Sequence, residues 1–466
     1  MASAFDADIQ NVLTHHDKPD AAKVMTAHEV YENAGTFAQA AIAPLDQILD
    51  NQTGAFPHRL WKQLGEQGYK GLIIPETYGG MGLGYLALTA ATLQISKASG
   101  SVGLSFIADQ ALCTHQIIKH GTDEQKAKYL PALASGDKVG ALAMSEPEAG
   151  SDVMSMRTRA EPAERNGVKG YVINGTKTWI TNGGRNDETT GAPLTADVLV
   201  LYAVTNTAPK KLTAFLVDGG TEGFNAVRKI EKECLPGSET WELEFNDVFV
   251  PEDAILGTVN KGANVLMAGL NAERLILGAG ALGLAIAAFD DAVDYTTQRR
   301  QFGGPIAYNQ DVAFDLADIY SEITGALANM FTAAAMADNG IDLTNGMAAS
   351  VFLEASQIAT RAAEQNVYYH GGNGQTIDYR AGLIKRDASL YRVGGGSEHV
   401  RMLRIAEQVI PGYREHVIEE RNLRALAKEL SDKFKGATRL VSGELEVFGK
   451  TNPGGEFLLV PVDRKP

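Results

Sequence analysis

Cysteine is almost absent from this sequence, whose 466 residues contain only Cys113 and Cys234. Two cysteines cannot build a disulfide framework in so long a chain, which favours a reducing compartment. Neither cysteine has a companion at the spacing of metal ligands, so the sequence predicts no zinc or other metal site.

An excess of positive charge is also lacking, because the formal net charge is −15 at pH 7. This charge disfavours nucleic acid and anionic membrane surfaces as partners, since neither attracts an acidic surface. The first ten residues, M-A-S-A-F-D-A-D-I-Q, contain early acids and no apolar segment of signal-peptide type, and the first arginine is Arg59. We therefore expect a bacterial cytoplasmic protein, or a mitochondrial matrix protein if the chain is processed.

The length suggests about three domain-sized units, and the hydrophobic pattern changes twice along the chain. Apolar residues recur at helical spacing up to about residue 140, short alternating runs follow, and helical spacing returns from about residue 262. This order predicts an α+β multidomain protein with a helical domain, a β domain and a helical bundle. The predicted boundaries are 1–140, 141–257, 258–411 and a C-terminal extension at 412–466.

Two local signals refine this prediction. Asn174-Gly175 separates β-rich runs and is typical of a hairpin turn. In the extension, a charged helical stretch precedes E-L-E-V-F-G and F-L-L-V-P-V, which predict one further helix and two short strands.

One helical segment, at 271–302, is apolar on nearly all sides, since no residue between Arg274 and Asp290 carries a charge. The uncharged run between these two residues is shorter than the about 20 residues that a membrane span needs and is rich in glycine, so we predict a buried core helix. Glu273 stands at the head of this run. A carboxylate beside a buried surface is costly unless it is paired or functional. An ion pair with Arg274, an interaction with the positive end of a helix and a catalytic role all remain open at this point.

The segment at 143–153, A-M-S-E-P-E-A-G-S-D-V, contains small and hydroxylic residues that suit a ligand-binding loop but also an ordinary turn. Further along, T-W-I-T-N-G surrounds Trp179. Together the two segments resemble the flavin-binding β domain of the acyl-CoA dehydrogenase family. The resemblance implies that FAD is hydrogen-bonded by Ser145, Ser151 and Thr181 and lies against Trp179.

Further motifs of the same family follow in the expected order. R-R-Q-F-G resembles the family's R-x-x-F-G, and Y-H-G-G-N-G resembles its G-G-x-G turn. The resemblance covers roughly 27–410 and implies a homotetramer in which FAD contacts a neighbouring subunit. It also implies an electron-transfer flavoprotein as the electron acceptor. The additional FAD-binding residues that it implies are Arg299, Phe302, Gly371, Gly372 and Ser397.

The catalytic base distinguishes branches within this family. Many members carry a loop Glu where this chain has Gly395, in Y-R-V-G-G-G-S-E-H-V-R. The isovaleryl-CoA and long-chain branches instead place the base on the first bundle helix, and L-N-A-E-R-L puts Glu273 at that position. The resemblance therefore favours Glu273 as the base. Arg274 is then a structural or substrate-orienting neighbour, and Glu398 is the nearest alternative carboxylate.

The loop glycines also bear on the substrate. In the family that the chain resembles, the backbone N–H at this loop position donates to the thioester oxygen, and the resemblance implies that Gly395 keeps this donor, which stabilises the developing enolate. Gly394 and Gly395 replace bulkier residues of many relatives, so we expect substrate contact there and a pocket for branched or long acyl groups.

The expected function is FAD-dependent α,β-desaturation of an acyl-CoA thioester. A relative with altered chemistry, such as an oxidase, monooxygenase or desulfinase, is the alternative, and a non-enzymatic flavin-binding scaffold is a third. Glu148, Pro236 and the long C-terminal extension depart from the family pattern and support the alternative. Glu273 at a base position argues against the scaffold.

Overall fold

Helical, β and helical segments follow one another in the predicted order. A computed structural model describes residues 3–16, 25–51, 56–433, 438–441 and 444–447. These residues fall into two compact units, 1–402 and 403–466. The boundaries assigned to the smaller domains stay predictions.

The first helical segment begins with a helix at Asp6–His16. Capping boxes fix two of the following helix starts: Thr26 with Glu29, and Thr122 with Gln125. A π-helical stretch at Ala108–Thr114 joins α6 to α7, and such stretches are often found at functional sites. The helices are α1 Asp6–His16, α2 Ala27–Phe37, α3 Ala43–Asn51, α4 Arg59–Glu66, α5 Tyr85–Ala98, α6 Gly100–Ile107, α7 His115–His120 and α8 Asp123–Ala134.

The central segment forms an eight-stranded sheet in the order β10-β7-β6-β2-β3-β9-β8, with β1 paired to β6 in parallel. A separate short pair joins β4 to β5. The strands are β1 Gly140–Ala143, β2 Arg159–Arg165, β3 Val168–Thr181, β4 Gly184–Asn186, β5 Pro193–Thr195, β6 Val198–Thr207, β7 Lys210–Asp218, β8 Phe224–Lys229, β9 Thr240–Pro251 and β10 Ile255–Leu256.

The hairpin prediction at Asn174-Gly175 is wrong, because both residues lie inside β3. The turn between β2 and β3 is formed by Asn166 and Gly167, whose φ angles of 53° and 78° suit a tight hairpin turn. At Gly175 the pairing of β3 with β9 shifts register. A Cβ atom there would lie 2.5 Å from Thr158 Oγ1, so this glycine permits a close approach of strands.

The second helical segment begins with α9, which contains the apolar run. By length and composition α9 alone among the described helices could cross a membrane, but 83% of its most apolar window is buried inside the protein. Its apolar surface therefore belongs to the protein core. The elements are α9 Gly262–Gln298, β11 Arg300–Gln301, β12 Gly304–Pro305, α10 Gln310–Asp338, α11 Asn345–His370, α12 Ala381–Leu390 and α13 Glu398–Val409.

The C-terminal unit contains the predicted helix as α14, Tyr413–Lys433, followed by a hairpin of β13, Thr438–Val441, and β14, Glu444–Val447. The strand predicted at E-L-E-V-F-G corresponds to β14. The strand predicted at F-L-L-V-P-V lies outside the described residues.

A buried ion pair joins the first helical segment to the sheet. Lys70 Nζ lies 2.8 Å from Asp109 Oδ2, and both side chains are fully buried. Asp109 also accepts hydrogen bonds from the backbone N–H of Gly140, at the start of β1, and from the side chain of Gln110. These bonds offset the cost of removing the Asp109 carboxylate from water.

We predict that Lys70→Met destabilises the protein by about 3–5 kcal/mol, because it leaves the Asp109 carboxylate buried without its cation. Denaturant unfolding followed by circular dichroism measures the change. The matched control is Lys62→Met. Lys62 Nζ lies 2.6 Å from Asp137 Oδ1, but both side chains are about half exposed, so this change is expected to cost about 1 kcal/mol or less. Equal losses in the two variants would contradict the importance of the buried pair.

Candidate active site

Glu273 lies on α9 and is 8% exposed. Burial raises the pKa of its carboxyl to about 7, and the Arg274 charge opposes this rise without cancelling it. The Arg274 guanidinium donates to Asn271 Oδ1 at 3.4 Å. Among the described residues Glu273 makes no hydrogen bond and no ion pair. An ion pair with Arg274 therefore does not account for this buried carboxylate, which has the proton affinity of a base that works near neutral pH.

Gly395 lies directly opposite Glu273 in the fold. A Cβ atom built on Gly395 would lie 3.6 Å from Glu273 Oε1. The backbone at Gly395 has a φ of +64°, in the left-handed region that favours glycine. The structure thus brings together the two positions that the sequence compares as alternative sites for the base.

The space beside Gly395 is not open. The same Cβ atom would lie 2.3 Å from Leu277 Cδ1 and 3.1 Å from Phe352 Cε1. The glycine therefore makes room for two side chains of the protein itself. The larger pocket expected from Gly394 and Gly395 stays a prediction.

Glu398 is a poor candidate for the base because its carboxylate is paired with Arg392. Two hydrogen bonds join the Arg392 guanidinium to the Glu398 carboxylate, at 2.9 and 2.7 Å. This pairing holds the pKa of the Glu398 carboxyl below its usual range. Glu273, which lacks such a partner among the described residues, is the better candidate.

The two segments expected to bind FAD are in contact. The backbone N–H of Thr178 donates to the carbonyl oxygen of Ser145 at 3.0 Å, so the loop that follows β1 lies against the end of β3. Trp179 has a φ of +63° and its side chain is 61% exposed. A strained backbone that presents an aromatic ring outward is characteristic of ligand sites. Ser151 is exposed and Thr181 is half-buried in the same region.

Sequence reasoning missed the ion pair that anchors this loop. The Glu146 carboxylate lies 2.9 Å from Lys177 Nζ and accepts the backbone N–H groups of Arg157 and Thr158. Lys177 is fully buried, so the pair is shielded from water. The signal for it was one Glu in the loop and one Lys two residues before Trp179, but their contact depends on the pairing of distant segments.

The structure also shows the contacts made at two departures from the family pattern, Glu148 and the segment at Pro236. Glu148 forms an exposed ion pair with Arg157 at 2.7 Å. Next to Pro236, Leu235 has a φ of +49° and donates its N–H to the buried Asp387 carboxylate at 2.6 Å. These contacts suggest structural roles for both segments.

Arg299, Phe302, Gly371 and Gly372 are not brought to Glu273. Arg299 follows the C-terminal end of α9. A helical rise of about 1.5 Å per residue puts it roughly 39 Å along the helix axis from Glu273. Phe302 is fully exposed on the β11–β12 turn. Gly371 has a φ of +57°, and nothing lies within 4 Å of a Cβ atom built on either glycine. Ser397 follows Gly395 by two residues, directly before α13, and its assignment to FAD stays a prediction.

Comparison with known proteins agrees with the geometry. Models of the acyl-CoA dehydrogenase N-terminal, middle and C-terminal domains match residues 26–137, 141–248 and 260–410. The chain is 41% identical over 408 residues to the mitochondrial isovaleryl-CoA dehydrogenase of Solanum tuberosum, covering 85% of this chain and 95% of that protein. It is 40% identical over 388 residues to the mitochondrial 2-methylacyl-CoA dehydrogenase of the same plant, covering 82% and 90%.

A solved structure, the butyryl-CoA dehydrogenase of Megasphaera elsdenii, superposes with a TM-score of 0.77 at 32% identity, covering 82% of this chain and 98% of that one. The order of the three segments and their fold are therefore those of a known enzyme class. The chain belongs to the acyl-CoA dehydrogenase family, whose members are FAD-dependent oxidoreductases.

Proposed function

We propose that this enzyme desaturates a branched-chain or longer-chain acyl-CoA thioester between its α and β carbons, with Glu273 as the base. The observation that carries the proposal is the buried carboxylate of Glu273 facing Gly395, with Oε1 3.6 Å from the place of a Cβ atom. The names of the relatives, isovaleryl-CoA and 2-methylacyl-CoA dehydrogenase, support a branched substrate.

Glu273 takes the α-proton in this mechanism. A thioester α-proton is weakly acidic, so the base must be partly desolvated and the developing enolate must be stabilised. Burial supplies the first condition, because it raises the pKa of Glu273 to about 7. The backbone N–H of Gly395 supplies a donor for the thioester oxygen, and Leu277 and Phe352 exclude water beside it. FAD, when bound, accepts the hydride from the β-carbon.

FAD fits the residues around Trp179. Ser145 and Thr181 present hydroxyls where the loop and β3 meet, Ser151 adds an exposed hydroxyl, and the exposed Trp179 ring offers a surface for the flavin. We assign these four side chains to FAD bound by their own subunit.

A second group of residues, centred on Arg299 and Phe302, is assigned to FAD of a neighbouring subunit. The length of α9 supports this assignment, because it separates Arg299 from Glu273 by several helical turns of the same chain. Large apolar side chains exposed nearby also favour an interface between subunits. The residues are Phe302, Tyr308, Phe314, Tyr368 and Ile377.

The proposed electron acceptor is an electron-transfer flavoprotein. One similar solved structure is described with the electron transferring flavoprotein of Acidaminococcus fermentans, and it superposes with a TM-score of 0.77 at 32% identity. The proposed location is the bacterial cytoplasm or the mitochondrial matrix, and the names of the two Solanum tuberosum relatives, which include the word mitochondrial, support the second.

We predict that isovaleryl-CoA bleaches the flavin of the wild-type protein under anaerobic mixing and does not bleach the flavin of the Glu273→Gln variant. Glutamine keeps the size of the side chain but cannot accept the proton. Losing a positioned base costs about a hundred- to ten-thousand-fold in rate. Stopped-flow absorbance at the flavin band measures the reduction.

Glu398→Gln is the matched control for this experiment. Because Glu398 is paired with Arg392, its substitution should leave the rate of flavin reduction within a few-fold of wild type. Near-normal reduction in Glu273→Gln would eliminate Glu273 as the base. Butyryl-CoA serves as the straight-chain comparison, and faster turnover of butyryl-CoA would contradict the branched substrate. Oxygen-dependent peroxide formation would identify an oxidase instead, and no reduction by any thioester would favour a scaffold.

The pH dependence of flavin reduction gives a further prediction. Below its pKa of about 7, Glu273 is protonated and cannot accept the α-proton. The rate should therefore rise about tenfold per pH unit up to roughly pH 7 and level off above it. Stopped-flow reduction between pH 5.5 and 8.5 measures the profile. A flat wild-type profile would show that Glu273 does not titrate during catalysis.

Assembly is predicted to be tetrameric. Light scattering of the flavin-loaded protein should give about four times the chain mass of 49.8 kDa. Arg299→Ala should lower flavin occupancy, because its guanidinium would no longer reach the cofactor of the neighbouring subunit. A monomer with full flavin occupancy would rule out this arrangement.

A further inference from the structure

One polar side chain of α7, that of Gln116, lies next to the turn of α9 that leads to Glu273. A Cβ atom built on Gly269 would lie 1.9 Å from Gln116 Nε2, so the Gln116 amide lies directly against α9. Gly269 precedes Glu273 by one helical turn, which places both on the same face of α9. Gln116 is therefore beside the proposed acyl site.

Gln116 and its neighbour His115 are buried, yet each has a polar atom without a partner. The exposed fractions are 3% for Gln116 and 5% for His115. Neither Gln116 Oε1 nor His115 Nε2 has a hydrogen-bond partner among the residues that the structure describes. A buried polar atom without a partner costs the free energy of its lost hydration, so such atoms usually mark a ligand or a functional role.

Tyr85 determines which hydrogen-bonding role His115 can take. Its hydroxyl is hydrogen-bonded to His115 Nδ1. Burial, with the nearby Lys119 and His120, lowers the pKa of His115 to about 4, so the imidazole is neutral at physiological pH. We assign the phenol as the donor, which leaves Nε2 protonated and available as a donor.

Tyr202, on β6, adds a third polar group near the base. It is fully buried, its hydroxyl has no partner in the described ranges, and its side chain interacts electrostatically with the Glu273 carboxylate. A saturated hydrocarbon chain would leave all three groups, on His115, Gln116 and Tyr202, without hydrogen bonds.

The unpartnered hydrogen-bond donor and acceptor at this site determine which substituent of the acyl chain could bind there. His115 Nε2 donates and Gln116 Oε1 accepts, and a hydroxyl group is the simplest substituent that can do both at once. A carboxylate is disfavoured, since it would face the Gln116 carbonyl oxygen and the neutral imidazole supplies no positive charge. The hydroxyl would have to lie beyond the β-carbon, because desaturation of a thioester with a hydroxyl on the α or β carbon would give an enol, the tautomer of a keto compound.

We propose that the acyl site of this enzyme selects acyl-CoA thioesters that carry a hydroxyl group at the γ-carbon or beyond, bound by His115 and Gln116. This inference rests on the proposed acyl-CoA dehydrogenase activity and narrows its substrate class. His115 and Gln116 are specificity-determining residues in this account, and Tyr85 is a positioning residue that acts through His115.

The test compares matched pairs of thioesters that differ only by the hydroxyl. The pairs are 4-hydroxy-3-methylbutyryl-CoA against isovaleryl-CoA, and 6-hydroxyhexanoyl-CoA against hexanoyl-CoA. With an artificial electron acceptor, kcat/KM of the wild-type holoenzyme should be at least tenfold higher for the hydroxylated member of at least one pair. Calorimetry with the Glu273→Gln holoprotein should show the same preference in Kd without turnover.

Gln116→Met and His115→Phe should each reduce this preference toward one, because they remove the acceptor and the donor with little change in volume. Tyr85→Phe, which keeps the ring in place, should reduce it in part even if His115→Phe fails to fold. Gln63→Met on the exposed face of α4 is the matched control and should keep the wild-type ratio. A merely structural role would lower the rates for both members of a pair equally and leave their ratio unchanged.

Two results would overturn the inference while leaving the proposed function intact. One is a wild-type enzyme that oxidises isovaleryl-CoA or hexanoyl-CoA at least as well as the hydroxylated partners. The other is a hydroxyl preference that persists in both Gln116→Met and Tyr85→Phe. Failure of every thioester to reduce the flavin would overturn the proposed function instead, and the Kd ratio would then still decide the hydroxyl preference.

Discussion

The desolvated carboxylate of Glu273 is the constraint on which the rest of the site depends. Its position on a helix that is buried on nearly all sides deprives it of water, and this raises the pKa of the carboxyl to about 7. A base of this strength can remove a weakly acidic proton only if the product charge is stabilised next to it. The Gly395 loop therefore has to lie opposite Glu273, with its backbone N–H available.

That loop is held in place by a buried arginine. Arg401 Nη2 donates to the carbonyl oxygens of Tyr391 and Arg392, at 2.9 and 3.2 Å, and the guanidinium carbon lies 3.9 Å from the centre of the Phe352 ring. These contacts fix the residues that lead into the Gly395 turn and the aromatic ring beside it. The structure thus supports the loop through buried charge as well as through glycine conformation.

The sequence predicted the order of the segments and the buried character of α9, because both follow from hydrophobic periodicity. Its turn prediction at Asn174-Gly175 was wrong: this pair lies at a register shift within β3, whereas Asn166-Gly167 makes the turn. Local turn chemistry was the same in both, and strand pairing decided between them.

At the candidate site, Glu273 and Gly395 were predicted from the resemblance to the family, and in the fold they lie opposite each other. Neither the packing of Leu277 into the space left by the glycine nor the pairing of Glu146 with Lys177 could be derived from the sequence. Contacts between residues distant in the chain depend on tertiary packing, which a periodic pattern does not encode.

Proton removal can be separated from hydride transfer, and this separation tests the role of Glu273 most directly. An acyl-CoA analogue with oxygen in place of the β-carbon can lose its α-proton but has no β-hydride to transfer. In anaerobic D₂O, the wild-type holoenzyme should exchange the α-hydrogens of this analogue for deuterium, as followed by mass spectrometry, and Glu273→Gln should not. Exchange at the wild-type rate in Glu273→Gln would contradict the assignment of Glu273 as the base.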